Sequence, residues 1–226
     1  MPALFALINR AFCAAHNSAG RSLLPPNEYS RLRTHEQLGN EVGDDGFTWI
    51  MLSASTPADK SKDQTQQQAS SQSSEKVIGT ASAKPYQPPT PYDPKTAKIP
   101  GATSLFKRQP GTEKELEAHA RLPKWEILVT VVDPDLQGRG LAAQLMESTV
   151  GEIRRRVAAE SVVAEEDGWV GERGKIVLLL STMQELNEGY YAKRGWTATG
   201  LRRFAPGTMG SRDGFGVIEI MKVVDA

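Results

Sequence analysis

Apolar residues recur at helical spacing from the start of the chain. Leu4, Leu7, Ile8, Ala11 and Phe12 fall on one face, so Leu4 to Ala15 is predicted to be an amphipathic helix. A loop with Gly20 and Pro25-Pro26 runs from Asn17 to Tyr29. Thr34-His-Glu-Gln37 has the form of a capping box and predicts a second helix. Phe47-Thr-Trp-Ile-Met-Leu52 then reads as a strand after an Asp45-Gly46 turn, and Lys76-Val-Ile-Gly-Thr-Ala-Ser-Ala83 as the next, the two forming a hairpin. The apolar run from Trp125 to Val132 is a third strand, followed by a glycine-bearing turn and a helix. Ile176-Val-Leu-Leu-Leu180 is apolar throughout and β-branched at its start, which suits a central strand buried on both faces. A short helix follows it and ends at Gly195, after a basic pair that suits the negative end of a helix dipole.

Two polar stretches interrupt this pattern. Ser53 to Glu75 is rich in Ser, Gln, Asp and Lys with almost nothing to bury, and is expected to be a disordered loop within the hairpin. Lys84 to Pro123 is a second insertion, proline-rich and then charged, with a short helix from Glu113 to Ala120. Otherwise the 226 residues make one domain, large enough to bury a full core.

Composition narrows the function classes. A net charge of +0 lacks the broad basic field of a nucleic-acid binder. The one basic run, Arg154-Arg155-Arg156, reads as a solvated helix face in which Glu152 pairs with Arg156, although an arginine there could also reach a phosphate. Cys13 is the only cysteine, so no disulfide framework exists and a reducing, cytoplasmic setting is expected. Cys13 and His16 make only half a metal site, and His35 and His119 lack ligand spacing to each other, so no metal is expected. No segment is apolar for long enough to span a membrane, and Pro2 to Ile8 is cut short by Asn9-Arg10 without a convincing signal-cleavage pattern.

The chemistry concentrates after Val132. Asp133-Pro134 leads into Gln137-Gly138-Arg139-Gly140-Leu141-Ala142 and a helix. The first N–H groups of a helix lack partners and carry partial positive charge, so this end is suited to a phosphate. Gly138 and Gly140 remove side chains that would hold a diphosphate off the backbone, and Ala142 stays small. A P-loop is excluded, because no Gly-Lys-Ser or Gly-Lys-Thr occurs. Gly138-Arg-Gly140-Leu-Ala-Ala143 does fit the dinucleotide fingerprint. Its glycines, however, follow the strand only after Asp133 to Gln137, and the acids about 20 residues on, Glu160, Glu165 and Glu166, lie in or just beyond the helix. A bland surface turn is the third alternative.

Gln137-x-x-Gly140-x-Ala142 resembles the coenzyme A pyrophosphate motif of the GCN5-related N-acetyltransferase superfamily. Tyr191-Ala-Lys-Arg-Gly-Trp196 is similar to that family's Tyr-x-Lys-x-Gly-Phe signature, and Asn187 falls near the asparagine that often precedes it. Gly195 to Pro206 and Gly214 to Lys222 look like the two closing strands of fungal members. The resemblance implies the acetyltransferase fold, a mixed central β-sheet flanked by helices. The family's opening strand has no counterpart before the first helix here, and an uncovered sheet edge favours pairing with a second copy as a homodimer.

That resemblance implies an acyltransferase with acetyl-CoA as cosubstrate. The pantetheine arm lies along the strand ending at Val131-Val132 and accepts hydrogen bonds from its N–H groups, while the strand from Ile176 to Ser181 splays away. Gln137 to Ala142 hold the diphosphate, and Asn187 adds to the coenzyme site. A lysine-like amine, with a pKa of about 10.4, must lose a proton before attacking the thioester. Glu126 matches the family's carboxylate base and Tyr191 the acid that protonates the departing thiolate; the alternatives are a solvent-facing strand residue and a packing aromatic. Phe47 and Trp49 are candidate walls for the acceptor, for which a small-molecule amine is favoured over a protein. A non-catalytic acyl-CoA-binding module and a dinucleotide-binding protein are the competing readings.

Overall fold

A computed structural model describes residues 2–17, 30–53, 75–87, 107–108, 112–166, 174–208 and 213–226. The polar tract at 54–74, most of the insertion at 88–106, the loop at 18–29 and the loop tip at 209–212 lie outside the described residues, and so does the disorder expected of the first. The elements in order are α1 (Pro2–Asn17), α2 (Gln37–Val42), β1 (Phe47–Ser53), β2 (Lys76–Pro85), β3 (Lys107–Arg108), α3 (Thr112–Ala118), β4 (Lys124–Val132), a 3-10 turn (Pro134–Leu136), α4 (Leu141–Glu166), β5 (Lys175–Met183), α5 (Gln184–Ala192), β6 (Thr197–Phe204) and β7 (Phe215–Asp225). They form the mixed sheet flanked by helices that the sequence predicts. The sheet is seven-stranded in the order β1-β2-β4-β5-β7-β6-β3. Its seventh strand, β3, comes from the insertion and sits beside β6.

Two hydrophobic layers enclose the sheet. On one face Leu4 and Ile8 of α1 pack with Leu32, Leu38 and Val42 against Val129. On the other, Ile153 and Val157 of α4 pack with Trp125, Ile127, Leu178, Ile218 and Ile220, and Tyr191 of α5 joins this layer. At Gly79 α4 packs close on β2, since a Cβ there would lie 2.8 Å from Leu145 Cδ1. Val177 and Leu179 are covered on the α1 side by Leu122, with Tyr86 packed alongside. The insertion therefore completes the core at both of its ends.

The second helix starts later than the capping box implies. Its N-cap is Glu36 and makes no side-chain cap. Gln37 still reaches back, but to the N–H of Arg33 at 2.8 Å, while the Thr34 hydroxyl is bonded to the Glu36 carboxylate. That local bond holds Thr34 away from the helix N–H groups it would cap.

Candidate active site

Two features of β4 define the site. The first is a bulge: Ser82 of β2 pairs with Val129 and Ala83 with Ile127, which leaves Leu128 extra. A one-residue slip moves subsequent side chains to the opposite face. Trp125 and Ile127 face α4, whereas Val129, beyond the bulge, packs against α1. Glu126, between Trp125 and Ile127, therefore projects from the α1–α2 face. The second feature is that β4 and β5 run paired only through Lys124–Val177, Trp125–Leu178 and Glu126–Leu179. Beyond Glu126, β4 keeps its ladder to β2 and β5 keeps its ladder to β7. The edge of β4 from Ile127 to Val132 is thus left without a strand partner on the β5 side.

Above this opening β4 ends at Asp133, which is fully buried. Its carboxylate accepts from the Asp135 N–H at 3.2 Å, capping the 3-10 turn, and meets Arg10 at 2.6 Å and Lys76 at 2.9 Å. Those contacts, led by Lys76, hold the carboxyl below its ordinary range. Helix α1, strand β2 and the loop are joined at this one group. Gly138 and Gly140 follow with φ of 78° and 79°, and a Cβ at either would meet nothing within 4 Å. The space in front of both is open, and the left-handed backbone disfavours other residues there. Helix α4 begins with Ala143 N–H on the Gly140 carbonyl at 3.0 Å. The N–H groups from Gly138 to Ala142 are used by no hydrogen bond among the described residues. A diphosphate fits this donor set in charge, geometry and room.

Tyr191 and Glu126 take opposite faces of the sheet. Tyr191 packs edge-on to Trp196 at 5.6 Å and to Tyr190 at 5.1 Å. With Met146, Val150 and Leu178 it lines a groove of about 350 Å³ between α4 and α5. Leu178 is adjacent to Leu179, the residue opposite Glu126. Burial pushes the Tyr191 phenol up to about 12. Glu126 is also raised, by burial first, with Lys84 opposing and with Glu219 and Glu41 adding to the rise. Glu126, its proton affinity raised by burial, and Tyr191, its phenol held protonated by burial, thus stand on opposite faces of the sheet.

The other residues singled out from the sequence lie around this pair. Asn187 donates to the Thr182 hydroxyl at 2.8 Å, tying α5 to the end of β5 that has parted from β4. Arg154 is committed to the Asp225 carbonyl, and Arg155 and Arg156 to Glu152, which they hold at about 2. This agrees with a solvated helix face. Phe47 is not near the α1–α2 face: it packs on Trp125 at 5.9 Å under the Arg156 guanidinium. It therefore does not wall the acceptor side. A larger hollow of about 710 Å³, lined by Asp44, Asp45, Lys124 and Arg155 among others, lies where β4 begins and includes none of the candidate residues. Among the described residues no cluster of His, Cys, Asp or Glu has the makings of a metal site, and no helix is long and apolar enough to cross a membrane.

No protein-family model and no curated protein matches the chain. Solved structures are similar to it at low identity. The ribosomal-protein-S18-alanine N-acetyltransferase from Escherichia coli is 14% identical over 100% of this chain and 88% of its own, with a TM-score of 0.48. The ribosomal-protein-alanine N-acetyltransferase from Brucella melitensis is 16% identical over 99% and 93%, with a TM-score of 0.46. Arabidopsis thaliana NAA60, solved with a bisubstrate analogue, is 14% identical over 85% and 86%, with a TM-score of 0.44.

Sequence reasoning missed the charged neighbours of Glu126. Lys84, Glu41 and Glu219 come from β2, α2 and β7, and the only local signal is that Lys84 closes the apolar-polar run of its strand.

Proposed function

We propose that this chain is an acetyl-CoA-dependent N-acetyltransferase acting by direct attack of an amine on the thioester. The observation that carries this reading is the parting of β4 and β5 after Glu126 and Leu179, below a loop of free N–H groups. The loop suits the diphosphate, and the unpaired edge reaching Val131 and Val132 suits the amides of a pantetheine arm. An acyl group at the end of that arm lies between Glu126 and Tyr191. Acetyl-CoA supplies an activated carbonyl carbon bound to sulfur.

The acceptor comes from the α1–α2 face as an ammonium and gives a proton to Glu126, directly or through water. The new N–C bond forms as the C–S bond breaks. Tyr191 faces the sulfur from the other side. With its phenol at about 12, full transfer to a thiolate near 8.5 is uphill by roughly 5 kcal/mol. Its hydrogen bond to the sulfur therefore carries most of the stabilisation, and the proton follows from solvent.

A small-molecule amine is the favoured acceptor. The lone Cys13 supports a cytoplasmic setting. A homodimer belongs to the same reading. Among the described residues strand β1 has only β2 beside it and exposes Trp49 (43%), Ile50 (40%) and Leu52 (45%), with no charge between Phe47 and Ser53 to deter pairing. Light scattering on the full chain checks it.

The deciding experiment is release of free thiol from acetyl-CoA against a mixed panel of small amines and peptides. Turnover with an amine supports the proposal. Tight acetyl-CoA binding with no thiol released from any of them makes the chain a non-catalytic acyl-CoA module, and saturable NAD binding without coenzyme A binding makes it a dinucleotide protein.

A further inference from the structure

We infer that Lys84 is a positioning residue for the base: its ammonium, fixed to the end of α2 and directly across the β2–β4 ladder from Glu126, keeps that carboxylate in its proton-accepting form. This rests on the reading of Glu126 as base. Lys84 pairs with Glu126 in the antiparallel register immediately before the bulge. Because Ala83 packs into the layer under α4, Lys84 projects from the same face as Glu126. Its Nζ donates to the Glu41 carbonyl at 2.9 Å, which spans β2 to the last turn of α2.

Three carboxylates meet on this face. Glu126 is flanked by Glu41 of α2 and Glu219 of β7. Glu41 is clamped by Arg31, with contacts of 2.9 and 2.6 Å, and receives a further bond from Gln37. Glu219 accepts from the Thr199 hydroxyl at 3.0 Å. Among the described residues, Lys84 is the one cation that acts on Glu126. Burial and two like charges hold Glu126 towards its protonated form, and Lys84 opposes all three.

The manner of the opposition matters. Lys84 makes no ion pair with Glu126; its ammonium is bonded to the Glu41 carbonyl. A carboxylate locked in a close ion pair is a poor base, since its lone pairs are engaged and its proton affinity is low. A cation held one strand away lowers the proton affinity without taking up those lone pairs. It also disfavours a second positive charge nearby, which helps the incoming ammonium to give up its proton.

Carboxyl-carbon NMR titration of the free, full-length protein tests this, with Glu126→Gln assigning the resonance. Lys84→Gln removes the charge but keeps a donor for the Glu41 carbonyl, and its Glu126 midpoint is expected at higher pH. Lys84→Met offers the same charge test should the Gln variant not fold. Lys84→Arg restores the charge and is expected to return the midpoint to the wild-type value. A midpoint unchanged in a folded neutral variant overturns the inference, as does an arginine variant that behaves like the neutral one. In thiol release from acetyl-CoA, with the panel amine that turns over, the acid limb of the pH profile of the neutral variants moves to higher pH by the same amount. Absence of turnover with every amine defeats the proposed activity, while the NMR midpoint still decides the role of Lys84.

Discussion

Glu126 and Leu179 are the last residues at which β4 and β5 stand side by side. One position further along, β4 has no neighbour on that side, and the carboxylate at the parting point is half-buried among charges from three other elements.

Replacing the base tests its direct role. Glu126→Gln is expected to lower kcat/KM on the order of 10²-fold. In the wild type the base works only when ionised, so activity falls as pH drops through a value above the ordinary 4.5. The sign for stability is opposite to that for activity. A carboxyl whose folded pKa is raised by burial is most comfortable protonated, so its contribution is lost as pH rises past its unfolded value. The Gln variant is therefore expected to melt at or above the wild-type temperature at pH 7, a loss of function with no loss of fold. Calorimetry beside the kinetic profile separates the two effects.

Tyr191→Phe keeps both edge-on ring contacts and removes only the hydroxyl. We expect kcat to fall by roughly 10–100-fold while acetyl-CoA affinity stays within a factor of two, since the donor matters mainly as the sulfur gains charge. Equal losses in coenzyme affinity and kcat would assign the hydroxyl to ground-state binding instead.

At the loop, Gly140→Asp introduces a side chain into open space and a negative charge where the diphosphate is expected. Asp tolerates the left-handed backbone better than most residues, so the fold should survive. Calorimetric binding of acetyl-CoA should vanish. Undiminished affinity would remove the loop from the coenzyme site.

Asp133→Asn examines the joint between α1, β2 and the loop. The expected cost is about 1–3 kcal/mol, and not more, because Arg10 and Lys76 are themselves about half exposed and rehydrate. Asp133 has a depressed folded pKa, so its stabilisation is present above 3.8 and disappears as pH falls through the lower folded value. Denaturant melts at pH 7 and in strong acid should show the wild-type advantage in the first and not in the second.

Strands β1 and β2 are paired down to Ser53 and Lys76, so the intervening residues need only close that gap. Replacing Thr56 to Ser74 by Gly-Asn-Gly is expected to leave Tm and kcat/KM almost unchanged, since loop length enters stability only logarithmically. A large fall in kcat/KM at constant Tm would bring the tract into the acceptor site.

Much of the site was legible because its signals are local. The run from Trp125 to Val132 ends in Asp133-Pro134, and the glycines that follow need φ near 80°. The bulge was not legible: Ile127, Leu128 and Val129 are all apolar, so a change of face leaves no trace in the pattern. Strand β3 is two residues long, too short for any period. The charges around Glu126 are brought together only by the pairing of the sheet and the packing of α2 against it.

The bond from Arg10 to Asp133 has a consequence for how the protein is made. These residues are more than a hundred positions apart, so the ribosome has built all the strands from β1 to β4 before they can meet. The loop that should hold the coenzyme is anchored by a helix made more than a hundred residues earlier. Its shape is therefore among the slow, long-range products of folding. A nascent chain should gain affinity for acetyl-CoA only late, and retention on immobilised coenzyme would then select completed molecules over partly folded ones.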